Sequence, residues 1–350
     1  MDLKRIILWA TLASALLGVA GCAASVAGPA RPHHLAPTAP VADLASFHDA
    51  LAPYGDWLQV EPWGQVWTPW DIEPGWRPYT HGHWAASTLG WTWVSDEPWG
   101  WAPFHYGRWT YHTQNGWLWI PDTVWSPAWV AWRAGNGWVG WAPLPSDARW
   151  RAGIGLEIRG PDLSLGIVPH GWSFVRQRDF LEPRIWRSLE PLPRHRFLLR
   201  ETRDRTRYEE VGGRVAVHGI GLDEIERSAG PVRRHRIEDL EKRPGDAAGG
   251  ARRALPTVRS EDQELQRLNA WEQAQRESLD DEQKRERRDW LPGEVTKEVQ
   301  GRQEEERRAL GREVEREKHL AAGRRDRRAR EKDRALDRRE AAKPPHAGRD

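Results

Sequence analysis

The chain has 350 residues, a formal net charge of +2 at pH 7 and one cysteine, Cys22. With a net charge so close to zero, the chain as a whole lacks the basic excess of a nucleic-acid-binding protein. Only its Arg-rich C-terminal end has such an excess. The export segment described next argues against nucleic acid as a partner. A lone cysteine excludes an internal disulfide.

Residues 1–22 have the features of an export segment. Two basic residues precede an apolar run over residues 6–19, which is too short for a stable membrane span. The run ends in Val19-Ala20-Gly21-Cys22, which resembles the lipobox of bacterial lipoproteins. The resemblance implies cleavage before Cys22, lipidation at Cys22 and, because Ala23 follows rather than Asp, an outer-membrane position facing the periplasm. The alternative is an ordinary signal peptide that happens to contain a cysteine.

Residues 23–46 are predicted to form a disordered tether. This stretch consists largely of Ala, Pro, Gly and Ser, a composition that cannot bury a core. As a coil it would span roughly 30 Å, and as polyproline II roughly 75 Å. His33 and His34 within it are more typical of a solvated linker than of a metal site, because no other ligand lies nearby in the sequence.

Residues 47–150 form a Trp-rich repeat. The stretch from Tyr54 to Trp150 contains 19 of the 24 tryptophans, and Gly-x-Trp and Gly-Trp-x-Trp motifs recur in it. Equivalent tryptophans step by 26, 26 and 22 residues, at Trp67, Trp93, Trp119 and Trp141. Turn-forming residues separate the motifs, so the pattern predicts three to four β-hairpin units that need one another to bury a face. These units are expected to form a barrel or a sheet.

The tryptophans must supply most of the interior of this domain. Only 12 Val, Ile or Leu residues lie between Tyr54 and Trp150, and large exposed apolar patches are rare on soluble proteins. Any tryptophans left outside the core could form an aromatic strip that stacks on sugar rings or holds cations. The candidates for such a surface are Trp91, Trp93, Trp99, Trp101, Trp117 and Trp119.

The polar residues of the repeat do not predict catalysis or metal binding. Four histidines, His81, His83, His105 and His112, have no known ligand spacing and do not recur at matching positions of the repeat. The acidic residues include no pair that stands out as a glycosidase-like couple. No nucleophile elbow, P-loop or dinucleotide fingerprint is present. We therefore expect no cofactor and no enzymatic activity.

Several motifs carry a family resemblance. They are Trp99 to Trp109, Gly116 to Pro121, Trp129 to Arg133 and Val139 to Leu144. They are similar to a Trp-rich family of exported bacterial proteins of unknown function, over Tyr54 to about Glu238. This resemblance implies export and a shared fold, but no activity and no site residues. A looser similarity to choline-binding hairpin repeats carries no ligand, because the repeat here is longer.

Residues 151–245 are predicted to form a small β-α-β appendage. Tyr208 to Val217 is typical of a hairpin with a two-glycine turn. Asp223 to Ala229 predicts a short helix ended by Gly230, and Val232 to Ile237 a returning strand. The arginines between residues 194 and 207 are expected to lie on a solvated face.

Residues 246–256 are predicted to be a linker, and residues 257–350 a charged helical tail, partly disordered and divided at Pro292-Gly293. Its apolar positions do not sustain a heptad seam, which favours a solvated helix over a coiled coil. Residues 321–343 contain ten basic and five acidic residues. This end is expected to contact an anionic envelope polymer or lipid headgroups through Arg324, Arg325, Arg327, Arg328 and Arg330.

These features together predict a non-enzymatic envelope lipoprotein with a structural or interaction role in the periplasm. Its partners would be the membrane, through the lipid anchor, and a cell-wall polymer or an envelope protein. The alternative is a module that binds cell-wall glycan through exposed tryptophans. A weaker third option is an envelope hydrolase.

Overall fold

The structure is a computed structural model, which describes residues 44–158, 167, 169–240, 260–288 and 297–341. Helix α1 (Leu44–Leu51) begins the described chain, so residues 44–46 of the predicted tether are helical. Four antiparallel hairpins follow, each made of two consecutive strands: β1 (Gly55–Val60), β2 (Gly64–Pro69), β3 (Gly82–Ser87), β4 (Gly90–Ser95), β5 (Arg108–His112), β6 (Gly116–Ile120), β7 (Val130–Gly135) and β8 (Trp138–Pro143).

Shorter elements follow the hairpins. They are β9 (Arg149–Arg151), β10 (Gly155–Glu157), β11 (Ser173–Arg176), α2 (His195–Glu201), β12 (Arg203–Asp204), β13 (Arg207–Val211), β14 (Arg214–His218), α3 (Leu222–Ala229), β15 (Arg234–His235) and α4 (Ile237–Leu240). Together with α1 and β1–β8 they form the β region, residues 44–240. Two long helices end the described chain, α5 (Glu261–Arg288) and α6 (Lys297–Ala341).

The strands form several open sheets. Two four-stranded sheets have the orders β1-β2-β6-β5 and β11-β8-β7-β12, and a five-stranded sheet has the order β13-β14-β4-β3-β15. Strands β9 and β10 form a separate pair. Each sheet ends in edge strands, so the sheet alternative of the sequence prediction is confirmed, and the described strands do not close into a barrel. The predicted hairpin, helix and strand of residues 207–235 are present, and their strands extend the sheet of the second hairpin.

Each Trp-rich hairpin is organised around one cross-strand pair of tryptophans. The pairs are Trp57 with Trp67, Trp84 with Trp93, Trp109 with Trp119 and Trp132 with Trp141. Directly opposed aromatic residues stabilise antiparallel strands because their side chains meet on one face. The second member of each pair is the tryptophan that steps by 26, 26 and 22 residues along the sequence. The repeat predicted from spacing is therefore confirmed as a repeat of hairpins.

The glycine of the Gly-x-Trp motif makes room for the indole of the opposite strand. An added Cβ would lie within 3 Å of that indole in the first three hairpins: at Gly55 it meets Trp67, at Gly82 it meets Trp93, and at Gly107 it meets Trp119. Such distances are below ordinary van der Waals contact, so a side chain there would displace the indole. In the fourth hairpin Val130 occupies this position.

Most of the tryptophans lie in the interior. Two core clusters, one around Trp67, Trp93 and Trp119 and one around Trp129 and Trp172, fill the β region. Several indole N–H groups donate to backbone carbonyls, which offsets the cost of burying them. These bonds run from Trp67 to Leu51, from Trp91 to Ile220, from Trp109 to Pro103, from Trp119 to Tyr106 and from Trp141 to Tyr79.

The C-terminal helices form an antiparallel hairpin packed on the β region, and the prediction of a solvated tail helix is wrong. Ion pairs between α5 and α6 run from Glu286 with Arg302 to Glu261 with Arg325 at the far end. The two helices share a small apolar cluster of Leu279, Leu310 and Val314. Leu268, Val299 and Leu320 of these helices are buried as well, and Trp271 packs against the cluster. We call α5 and α6 the helical hairpin.

Candidate functional site

The face on which the helical hairpin rests carries the densest set of buried charges. We define this docking face by Arg77, Glu190 and Arg194 of the β region together with Arg267, Glu282 and Arg316 of the helical hairpin. Because charged groups are rarely buried without partners, these residues mark where the two parts of the molecule are specifically matched. The face is described below from one end to the other.

At the first end, Arg194 lies between two carboxylates. Its side chain is only 5% exposed, it donates to Glu190 at 3.2 Å, and it forms an ion pair with Glu282 on α5. Arg176 approaches the same Glu282 at 3.8 Å, and its guanidinium lies 3.7 Å from the centre of the Trp138 ring. A buried guanidinium held by two acids fixes α5 in one position, because removing either acid would leave an uncompensated charge.

Burial also changes proton affinity at this end. It raises the pKa of Glu190 to about 7, and the charge of Arg194 opposes that rise. The neighbouring His195 is buried, and its Nε2 lies 3.1 Å from the carbonyl oxygen of Glu190. Burial, and secondly the charge of Arg77, lower the pKa of His195 to about 3, so its imidazole is neutral at pH 7.

In the middle, α6 covers a buried basic and aromatic group. Arg77 is 6% exposed, and its Nε donates to the Ser173 hydroxyl at 3.2 Å. The guanidinium of Arg316 lies 5.6 Å from the ring centre of Tyr111, within the range of cation–π attraction. Burial, together with the charges of Arg316 and Arg77, lowers the pKa of His170 to about 3. Glu317 of α6 is also buried and adds the negative charge that this group needs.

At the other end, Arg267 of α5 reaches the loop between β2 and β3. It lies 2.7 Å from Glu73 and 3.8 Å from Asp71, and it donates to the Ile72 carbonyl at 3.2 Å. Its side chain is 17% exposed, so these bonds are partly shielded from water. The same loop contacts Trp271 of α5 at Gly75. Polar and apolar contacts therefore hold the N-terminal half of α5 against the loop between β2 and β3.

The predicted basic contact residues are largely engaged within the chain. Arg325 pairs with Glu261, Arg324 lies 3.8 Å from Glu264, and Arg327 lies 3.9 Å from Asp56. Arg327 also donates to the Asn115 side chain at 3.0 Å. Burial lowers the pKa of both Arg327 and Arg328. Arg330 is exposed and makes no ion pair with any residue in the described parts of the chain. Most of the predicted basic contact residues at this end of α6 therefore bind other parts of the same chain and are not free for a partner.

The predicted aromatic surface is not formed. Five of its six members are at most 7% exposed: Trp91, Trp93, Trp99, Trp117 and Trp119. They are needed as core because aliphatic side chains are scarce in these hairpins. Trp101 is half-buried and packs against Phe47, with ring centres 6.0 Å apart. The five buried indoles therefore present no open ring face for stacking on a ligand.

Some predicted sites lie outside the described residues. They include Cys22, the rest of the export segment, the tether up to residue 43, His33 and His34, and the linker over residues 246–256. Within the described chain, no group of three or more His, Cys, Asp or Glu side chains is placed to hold a metal ion. No helix in these parts of the chain is both long enough and apolar enough to cross a membrane.

The docking face was not predicted from the sequence. Arg194 falls in a stretch whose arginines were expected to be solvated, and Glu282 in a helix where charges alternate over its whole length. One signal was available in the sequence: Glu190 and Arg194 have the i,i+4 spacing of an ion pair. Nothing in that spacing identifies a third partner about ninety residues away.

Residues 48–148 match the model of DUF6600, a family of unknown function. The match covers the four Trp-rich hairpins and, of the residues that define the docking face, only Arg77. The predicted resemblance to a family of unknown function is thus confirmed for this part of the chain, while export and bacterial origin remain predictions. No curated protein and no solved structure matches the chain.

Proposed function

We propose that this chain is a non-enzymatic lipoprotein of the cell envelope, with a structural or interaction role in the periplasm. In this proposal the β region is a rigid support that holds the helical hairpin in a fixed orientation. The docking face is the observation that carries the proposal. A hairpin fixed by buried ion pairs at one end and by Arg267 and Trp271 at the other presents its outer face to a partner without an ordering cost at binding.

The envelope location is supported by the N-terminal motif. The basic start, the short apolar run and the small residues before Cys22 agree in predicting export and lipidation. A lipid anchor would hold the chain at the membrane, and the Ala- and Pro-rich residues after it would set the β region off the surface.

The outer face of the helical hairpin supports an interaction role with an envelope polymer or protein. Its charges are exposed and mostly paired along the helix, as Arg308 is with Glu304 and Lys318 with Glu315. Exposed pairs of this kind are weak and are screened by salt, so a charged partner can compete for them. Among the basic side chains that the structure describes at this end of α6, Arg325 and Arg330 are exposed. Glycan binding through the tryptophans is less favoured, because five of the six candidate indoles are buried.

The test is co-sedimentation of the mature chain, with residue 22 changed to Ser, with purified cell-wall sacculi and with anionic vesicles. The variant Arg325→Gln/Arg330→Gln removes exposed charge at the basic end. The control Arg307→Gln/Arg308→Gln removes the same charge from the middle of α6.

We expect retention that falls with salt and is reduced by the first variant more than by the control. Failure to sediment with either material would overturn the interaction role. Retention that is insensitive to salt and is lost on competition with soluble glycan would favour the glycan-binding alternative.

A further inference from the structure

An open pocket lies on the five-stranded sheet, and none of its lining residues belongs to the docking face. It is bounded by the β3–β4 turn, by the segment that connects β14 to α3, and by the start of β13. Its volume is about 490 Å³, within the range of roughly 300–1,000 Å³ that is typical of small-molecule sites. The cavity is therefore large enough for a small organic ligand.

Three arginines line this pocket, Arg205, Arg207 and Arg234, and no acidic residue does. All three are exposed, and none of them forms an ion pair with any residue that the structure describes. This sets them apart from Arg194, Arg267 and Arg302 of the same chain, each of which has a carboxylate partner. Like charges around one cavity repel each other, so an anion inside it would relieve that repulsion.

The backbone adds donors at the same place. Helix α3 begins at Leu222, and Gly221 is its N-cap residue. Because glycine has no side chain, no side-chain hydrogen bond caps this helix. Both residues line the pocket, and the first-turn N–H groups of a helix favour an anion. The first-turn acids do not line the pocket, and one of them, Glu224, accepts a hydrogen bond from Gln177 at 2.6 Å.

The floor of the pocket is apolar and rigid. Val217, Ile220 and Leu222 supply its apolar wall. The indole N–H of Trp91 donates to the Ile220 carbonyl at 2.9 Å, which fixes the connecting segment. At the start of β4, Gly90 lies so close to β14 that an added Cβ would collide with the Val217 carbonyl oxygen. A pocket lined by apolar side chains and by three arginines suits a ligand with one anionic end and one apolar end.

We propose that this pocket binds a phosphate group carried on a small organic molecule. Guanidinium groups donate two parallel hydrogen bonds to phosphate oxygens, which makes arginine the preferred side chain for this anion. Thr88 also lines the pocket, and its hydroxyl can act as a further donor, whereas the Ser87 hydroxyl already donates to the Gly90 carbonyl. The same chemistry is offered by a soluble phosphate ester and by the headgroup of an anionic phospholipid.

The experiment is isothermal titration of the mature chain, with residue 22 changed to Ser, with glycerol 3-phosphate, inorganic phosphate and neutral glycerol. Vesicles containing phosphatidylglycerol, compared with pure phosphatidylcholine vesicles, form the lipid arm. The pocket variant is Arg205→Gln/Arg207→Gln/Arg234→Gln. The control variant, Arg184→Gln/Arg200→Gln/Arg227→Gln, removes the same charge from exposed arginines outside the pocket.

A second variant tests the site without changing charge. Gly221→Leu adds a side chain where nothing lies within 4 Å, and Gly221 does not have the left-handed conformation that only glycine tolerates. The added side chain should narrow the pocket while the fold is kept, which near-ultraviolet circular dichroism verifies for every variant.

We expect glycerol 3-phosphate to bind and neutral glycerol not to bind. The pocket variant should lower the association constant at least about tenfold, Gly221→Leu should also lower it, and the control should change it less than about twofold. Binding of the phosphatidylglycerol vesicles alone, lost in the pocket variant, would assign the lipid headgroup as the source. Absence of binding to every probe, or equal weakening by the pocket and control variants, would overturn the proposal.

Discussion

The indole of Trp271 on α5 lies against Gly75 of the β2–β3 loop, where an added Cβ would be 2.7 Å from the indole nitrogen. Gly75 also has a positive φ of 71°, which L-residues with a side chain rarely adopt. One glycine thus serves the local turn and the contact between the β region and the helical hairpin.

Gly75→Ala should loosen the helical hairpin, because the new methyl group cannot share the space with Trp271. We expect faster tryptic cleavage within α5 and faster amide exchange there. The matched control is Gly153→Ala, at a φ of 75° with nothing within 4 Å of the added Cβ. Both variants bear the backbone strain of roughly 1–2 kcal/mol, so only the difference between them reports the contact. Equal rates of cleavage within α5 in the two variants would contradict a contact between Gly75 and Trp271.

Glu282→Gln should destabilise the docked state, because Arg194 would lose the charge of one of its two buried carboxylate partners. The expected loss in free energy of unfolding is roughly 2–4 kcal/mol, measured by denaturant titration. Asp281→Asn is the control, since its side chain is 64% exposed and should contribute less than about 1 kcal/mol. The double variant Arg194→Gln/Glu282→Gln should recover part of the loss. A loss of similar size in the control would refute this account.

Glu97→Gln should change how stability depends on pH. The carboxylate of Glu97 accepts hydrogen bonds from the Trp76 indole at 2.9 Å and from the Ser95 hydroxyl at 2.6 Å, yet burial raises its pKa to about 7. The folded protein therefore binds this proton more tightly than the unfolded chain. Stability from this group is complete below its ordinary pKa of 4.5 and is lost as the pH rises through about 7.

The glutamine variant lacks this titration, so it should be more stable than the native chain by about 3 kcal/mol at pH 8, with the advantage vanishing near pH 4.5. Denaturant titrations at pH 5 and pH 8 measure it. The exposed Glu182→Gln serves as control and should show no such trend. A pH-independent difference between Glu97→Gln and the native chain would contradict the assignment.

Residues 44–240 should fold without the helical hairpin. Both large core clusters are built from side chains of the β region alone, and the helical hairpin has its own small cluster. We expect the fragment to keep a near-ultraviolet circular dichroism spectrum of ordered tryptophans and a cooperative thermal transition. A featureless spectrum would mean that the hairpin is required for the fold.

Cys22→Ser should abolish membrane attachment. In cells fed with labelled fatty acid, the native chain should take up label and fractionate with membranes, because Cys22 ends a lipobox-like motif. The serine variant should carry no label. Soluble, unlabelled native protein would show that the motif is not used.

The repeat of hairpins was predictable because its causes are local in the sequence. A glycine two residues before a tryptophan, a turn, and a second tryptophan recur with a nearly constant period. All four hairpins have a cross-strand indole pair, and the first three also have a glycine against the opposite indole, as Gly82 lies against Trp93. The hairpin of residues 207–218 and the helix ended by Gly230 were predictable for the same reason.

The aromatic surface could not be judged from the sequence. Alternation along a strand places Trp91 and Trp93 on one face, but it does not show whether that face is covered. Residues from far along the chain cover it, including Phe180 at 4.8 Å from Trp91, ring centre to ring centre.

By itself, the sequence determined that the N-terminal part consists of tryptophan-paired hairpins and that the C-terminal part is helical, because turn chemistry, residue period and helix propensity act over a few residues. Only the tertiary structure decided that the charged helices lie on the β region. Their apolar positions are too sparse to predict packing. The docked helices contact the β region through apolar side chains such as Leu320, beside Gly116, and through matched charges such as Arg194 with Glu282 and Arg267 with Glu73. A charged residue in a sequence is expected to be solvated unless its partner is known. The partners here lie about ninety residues apart for Arg194 with Glu282 and about two hundred for Glu73 with Arg267.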